Sequence, residues 1–479
     1  MALTIKHLNS DASFLLSFEP VGANADPARG PVAVSRPFTI LLDPWLTGPS
    51  NIFHPKFSTT TQTVAPCVSS LAELSVEPDL VIISQPKSDH CNEATLRQLP
   101  ASGTRTLILA EPASARLIRS WKYFDREKVR TIESWKDPRT GANNHRRVFR
   151  IPVPAAWPGG QTGEVTVCWI PQKRDLSGVH GAIGITYRPP PSQNNATVAA
   201  AAVRSTAAVV ADMLTPPATP VTPVRTLIPP TSVSTTHVHL FPPSPPISPH
   251  SLRSVQSAAA LISPATPNTP QPRQSLLDRY LAMSSSSTSS SPTTQDIVRP
   301  ISLVFSPHGI AYADLAPWAT SHLVAEAALP LTALLHCMDS IANPWWLGGN
   351  VCWGTATGAE IARRLGARVW ISAHDAEKQV RGLATGRLTT RRWGREEIAG
   401  ILGNSHHRHH HHRHDAAIAG YRGQDEGQDV APSRQGKAAS ASAVRVDKEV
   451  EILRLDSGDE VLVTGNGHVL HDCFSQEVR

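Results

Sequence analysis

Short apolar runs, each stopped by polar or turn-forming residues, recur along the first part of the chain, a pattern that marks strands buried on both faces. Strands are expected at Ala2 to His7, Ala12 to Phe18 and Phe38 to Asp43, the last running into the turn Pro44-Trp45-Leu46-Thr47-Gly48-Pro49. Asp79-Leu80-Val81-Ile82-Ile83 is the next such run. Pro86 cannot continue a ladder, so Ser84 to His90 reads as a loop. A short helix should follow from Asn92, a capping residue, to Leu99, where Pro100 closes it. A strand at Thr106 to Ala110, a helix at Ala113 to Trp121 with Pro112 at its start, and strands around Val148 to Ile151, Val165 to Ile170 and Ala182 to Tyr187 continue the alternation.

The alternation stops from Arg188 to about Arg299. Repeated prolines such as Pro189-Pro190-Pro191 and Thr219-Pro220-Val221-Thr222-Pro223, and the serine run Ser284 to Ser287, neither fill a core nor sustain a ladder. A disordered insertion is expected there, with one short helix near Leu276 to Met283. Order should resume at Ile301-Ser302-Leu303-Val304-Phe305 and run to about Gly400, with a helix at Gly358 to Leu365 and a strand at Arg368 to Ser372. Asn404 to Ala443 is a second low-complexity stretch, which carries the tract His406 to His414. A last hairpin, Val450 to Leu455 with Val461 to Thr464 around Asp456-Ser457-Gly458-Asp459, is expected to close the domain. The reading is thus one domain built from 1–188, 300–400 and 447–479, interrupted by 189–299 and 401–446.

Composition narrows the function classes. The 42 prolines among 479 residues concentrate in the interrupting segments, which lowers the share of the chain available to a core. A net charge of +6 is spread over scattered Lys and Arg without interleaved aromatics, so no nucleic-acid partner is indicated. The six cysteines form no Cys-x-x-Cys pair and read as reduced thiols. Lys6, His7 and Asn9 interrupt the start of the chain where a signal peptide needs an apolar core, and Arg204 with Asp212 break the Ala/Val-rich stretch Ala196 to Leu214. No membrane span is expected, and the expected location is the cytoplasm, or alternatively the nucleus. Thr215, Thr219, Thr222, Ser244, Ser248, Ser263, Thr266, Thr269 and Ser291 each precede proline, which makes proline-directed kinases expected partners of the insertion.

Candidate chemistry gathers at the ends of strands. Apolar runs lead into Asp89-His90, into His308, into His336 and into His374. If these strands lie parallel in packed sheets, their carboxyl ends share one rim, where layered α/β folds assemble ligands. Asp89, His90, His308 and His374 would then offer the nitrogen and oxygen donors that zinc takes. The plainer reading of Asp89 is a helix-capping carboxylate, and that of His336 a satisfied histidine at a strand end. Cys91 has no evident base and reads as a packing residue.

The loop after Ile83 resembles that of the metallo-β-lactamase superfamily, whose signature His-x-His-x-Asp-His occupies the same strand-to-helix position. On this chain the signature falls on Gln85-Pro86-Lys87-Ser88-Asp89-His90. The opening strands most resemble the branch containing ascorbate-6-phosphate lactonase and the phospholipase D that cleaves N-acyl phosphatidylethanolamine. The resemblance implies a four-layer αββα sandwich with the family's third histidine at His180, its bridging Asp near His308, its last histidine at His374, and Asp43 behind the ligands. It also implies a hydrolase of a small-molecule lactone, amide or phosphodiester. With Gln85 and Lys87 in place of two histidines, at most one zinc or other divalent ion is expected, and the Lys87 charge either stands in for the missing cation at an anionic group or is that of a solvated loop lysine, the plainer reading. The alternative is a catalytically inactive sandwich that serves as a binding or scaffold module.

Overall fold

The computed structural model describes residues 1–19, 36–191 and 299–472, apart from 53, 141–147, 156–158, 176, 348, 384, 404–448 and 466. The short helix expected near Leu276, the proline-directed sites and the His406 to His414 tract lie outside the described residues.

Two sheets carry the architecture. In the first, the strands Val469–Asp472, Glu460–Thr464, Ala2–His7, Phe14–Glu19, Phe38–Leu42, Leu80–Ile83, Leu107–Ala110 and Val129–Thr131 lie side by side in that order. In the second the order is Glu451–Leu453, Val369–Ser372, Ala333–His336, Ile301–Ser306, Gly181–Arg188, Gly163–Pro171 and Phe149–Val153. Tyr187 pairs with Ile301, so the interruption that follows Arg188 leaves and re-enters at neighbouring strands of one sheet.

The continuous apolar runs are explained by burial on both faces. Ile40, Leu42, Leu80 and Ile82 point into a core shared with Ile183, Ile185, Leu303 and Phe305 of the opposite sheet. Their neighbours Leu41, Val81 and Ile83 turn the other way and pack on Leu96, Ala115 and Ile118 of the helices Glu93–Leu96 and Pro112–Ser120. On the far side, Val304, Leu334 and Trp370 meet Leu315, Ile361 and Leu365 of the helices Tyr312–Trp318 and Thr355–Leu365. The layers are helix, sheet, sheet, helix: an αββα sandwich.

The expected closing hairpin does not form. Glu451–Leu453 runs parallel to Val369–Ser372 in the second sheet, whereas Glu460–Thr464 runs antiparallel to Ala2–His7 in the first. The intervening turn is pinned to the end of the opening strand, since His7 N–H donates to the Asp459 carbonyl and Gly458 N–H to that of His7, at 3.0 and 2.8 Å. Those bonds direct the chain across the core to the other sheet, and Glu460–Thr464 instead pairs back on itself with Val469–Asp472.

Two small sheets sit beside the sandwich. Ser50–Ile52, Ser58–Gln62 and Lys378–Arg381 form one, and Ser340–Ala342, Asn350–Cys352 and Thr389–Arg391 the other. Among the described residues no helix is long and apolar enough to cross a membrane.

Candidate metal centre

Phe38–Leu42 and Leu80–Ile83 are parallel neighbours in the first sheet, as are Ile301–Ser306, Ala333–His336 and Val369–Ser372 in the second. Their carboxyl ends deliver Asp43, the Ser84 to His90 loop, His308 and His374 to one rim. The loop is short and tight: the N–H groups of His90 and Cys91 both donate to the Lys87 carbonyl. Asn92 then caps the helix by accepting from Thr95 N–H at 2.9 Å.

His90, His308 and His374 are buried, and one nitrogen from each lies within 4.8 Å of those of the other two. Each ring is held by its Nδ1. That of His90 donates to Asp43 Oδ2 at 2.8 Å and that of His308 to the Val351 carbonyl at 2.9 Å, while that of His374 lies 3.1 Å from both Asp11 Oδ2 and Lys378 Nζ, whose ammonium is also 3.4 Å from the His374 Nε2. This tautomer leaves an Nε2 lone pair on His90 and His308, which is how ligating histidines are oriented by their outer partners. The Nε2 atoms of His90 and His308 are 3.1 Å apart. Two ligands of a tetrahedral zinc at 2.0 to 2.1 Å would be about 3.3 Å apart. Two facing lone pairs at that distance repel unless a cation, a metal or a proton, lies between them.

Asp89 stands beside the group, its Oδ2 at 4.0 Å from His90 Nε2 and 3.9 Å from His374 Nε2. Lys378 Nζ lies 2.8 Å from Asp11 Oδ1 and 3.1 Å from His374 Nδ1. Around the three imidazoles are therefore the carboxylates of Asp11, Asp43 and Asp89 and the ammonium of Lys378, an excess of negative charge that a divalent cation offsets. Asp43 and His374 adopt φ of 38° and 70°, a region disfavoured for side chains with a Cβ, so backbone strain is held at the site.

The electrostatics agree with a cation-seeking site. Burial opposes ionisation of Asp89, but the neighbouring His90, His374 and Lys378 outweigh it and bring its carboxyl down to about 2. For Asp11 burial is likewise overcome, by His374 and Lys378, and its carboxyl lies well below the usual range. Burial, with His374 beside it, takes His308 down to about 4 and keeps it neutral. For His90 burial is outweighed by Asp89 and Asp43, so its pKa is raised.

The other sequence candidates fall elsewhere. His180 is outside the group of three; its Nδ1 faces Asp175 Oδ1 at 3.0 Å, and its ring centroid is 5.7 Å from that of Trp353. His336 is buried behind the rim, with its Nδ1 donating to the Cys337 carbonyl at 2.7 Å. Lys87 is half-buried in the loop. Cys91 is buried in the apolar layer under the first sheet, and burial pushes its thiol far up, which removes it as a nucleophile.

Two residues of the site were not singled out from the sequence. Asp11 sits in a polar turn between the first two strands, and a carboxylate in a turn has many plainer uses. Lys378 follows His374 by four positions, but only the pairing of Lys378 with Gln62 aims it back at the rim.

Neither a protein-family model nor a curated protein sequence matches this chain. A similar solved structure is that of Igni18, a novel metallo hydrolase from the hyperthermophilic archaeon Ignicoccus hospitalis KIN4/I, at 10% identity and a TM-score of 0.31, covering 82% of this chain and 100% of that one.

Proposed function

We propose that the protein is a metal-dependent hydrolase of a small-molecule substrate, of the metallo-β-lactamase type, with one divalent cation held by His90, His308 and His374 and with Asp89 as the fourth donor. The observation that carries this is the grouping of three buried histidines in which the Nδ1 atoms of His90 and His308 are held on acceptors and their Nε2 atoms face each other at 3.1 Å. Imidazole nitrogen with one carboxylate is a donor set suited to zinc. When bound there, such an ion supplies a Lewis acid and lowers the pKa of water toward about 7.

The chain's own groups have distinct parts in this reading. Asp43 holds His90 in the ligating tautomer, and Asp11 orients the ring of His374. Asp89, partly open to solvent, is the carboxylate that completes the donor set. Lys378, and Lys87 of the loop, supply positive charge for an anionic substrate group or the developing oxyanion. Lactone, amide and phosphodiester bonds are the substrate classes in view.

A scaffold without catalysis is the rival, because a proton on His90 donated across the 3.1 Å gap to His308 would also satisfy both rings. Metal analysis of the chain with the histidines of the His406 to His414 tract replaced by glutamine decides between them. One tightly held equivalent is expected; none after incubation with zinc, manganese or iron would leave the scaffold reading.

A further inference from the structure

A small pocket adjoins the histidine cluster without belonging to it. It has a volume of about 30 Å³ and is walled by Ser84, Gln85, Glu111, Trp169, His180 and Pro307, among others. Two of its wall residues connect to the cluster. Pro307 precedes His308 in the chain, and Ser84 donates from both its N–H and its hydroxyl to the Asp43 carboxylate that holds His90.

The polar groups of this pocket fall into two kinds. Those of Ser84 and Glu111 are engaged within the protein, the first on Asp43 and the second on the N–H of Ala113 and the hydroxyl of Ser114 at the start of the Pro112–Ser120 helix. Gln85 and His180 differ. They are 3% and 7% exposed, and Gln85 Oε1, Gln85 Nε2 and His180 Nε2 have no hydrogen-bonding partner among the described residues. Leaving such an atom unsatisfied costs about 1 to 3 kcal/mol, so three of them in two neighbouring wall residues call for a partner.

Their chemistry defines that partner. His180 faces the Asp175 carboxylate with Nδ1, which therefore carries the hydrogen, and its Nε2 is an acceptor. Gln85 adds a second acceptor through Oε1 and a donor through Nε2. These two side chains thus ask for two donors and one acceptor in a neutral group. A carboxylate brings acceptors only and is repelled by both pocket acceptors. An ammonium leaves the Gln85 donor unmet, and a hydroxyl leaves one acceptor unmet. A primary carboxamide has two N–H donors and one carbonyl and matches all three, as does a water molecule, the occupant it would displace.

We infer that Gln85 and His180 form a recognition site for a primary carboxamide, carried by the substrate next to the bond presented to the histidine cluster. Gln85 exchanges a pair of hydrogen bonds with the carboxamide edge, and His180 takes the second N–H. As a statement about substrate specificity this rests on the hydrolase reading; as a binding site it does not.

The test uses the full chain and small probes. Saturation-transfer NMR is recorded with acetamide, N,N-dimethylacetamide and acetate, on the wild type and on Gln85→Met and His180→Phe, with metal content measured on each sample. Acetamide should bind while the other two do not, and each substitution should weaken acetamide about tenfold, the effect of one or two lost hydrogen bonds. The probe comparison on the wild type needs no variant and stands even if a substitution impairs folding. Equal binding of acetamide and its dimethyl analogue, no acetamide binding, or binding unaltered in both folded variants would overturn the inference, leaving the polar atoms to water or to each other. Metal bound without acetamide binding sinks the pocket alone, and acetamide binding without metal sinks the hydrolase reading alone.

Discussion

Asp11 and His374 lie 363 positions apart and are joined twice, by the His374 N–H donating to the Asp11 carbonyl at 2.8 Å and by the His374 ring Nδ1 meeting the Asp11 carboxylate at 3.1 Å. The first bond fixes a backbone that has turned to a φ of 70°, and the second orients the ring. A histidine at the end of a strand of the second sheet is thus positioned by a turn of the first.

Asp11→Asn should therefore weaken metal binding by about 10 to 100-fold, the usual effect of removing an outer partner of a ligating histidine, with the fold retained. Competition with a chromogenic chelator measures this. An affinity equal to that of the wild type would show that His374 does not need Asp11 for its orientation.

His90→Ala and His374→Ala should each abolish the bound metal, because the donors come from different sheets and neither can replace the other. Asp89→Ala should weaken it strongly. Cys91→Ser, a change in the apolar layer under the first sheet, should leave metal content as it was. Metal retained in both histidine variants would refute the proposed ligand set.

Stoichiometry should not exceed one tightly held ion in the protein with its His406 to His414 tract altered, because Gln85 and Lys87 are poor partners for zinc beside imidazole. Adding Gln85→His and Lys87→His together should create a second site only if His180 can turn its free Nε2 toward it. Two equivalents in the protein before that change would overturn the expectation.

Acid should destabilise the fold in a window set partly by His336. Burial holds this ring at about 4 in the folded protein against an unfolded value of 6.5, so the unfolded chain takes up the proton first. The stability it contributes is complete above pH 6.5, is lost as pH falls toward 4, and amounts to roughly 3 kcal/mol. Denaturant midpoints measured from pH 7 to 4.5 in chelator should fall more steeply for the wild type than for His336→Asn. Parallel slopes would show that another group sets the acid limit.

The hydrophobic pattern already contained most of the strands, since Phe38–Leu42, Leu80–Ile83, Ile301–Ser306 and Val369–Ser372 are runs with no competing period. The helix after the Asp89-His90 loop was legible for a local reason, a capping Asn92 and a closing proline. Strand partnership was not legible. Glu451–Leu453 and Glu460–Thr464 look like a hairpin because a turn separates them, and the bonds from His7 that send them to different sheets come from the other end of the chain. The same limit applies to the site. The sequence by itself determined that His90, His308 and His374 follow buried strands, because apolar runs and their stops are local properties. Only the tertiary structure decided that their nitrogens converge, that Asp11 and Lys378 join them, and that His180 faces a pocket with Gln85 instead. The reason is that convergence depends on which strands are neighbours and where each ends, and strand neighbours are chosen by the burial of whole faces across the core rather than by any local run of residues.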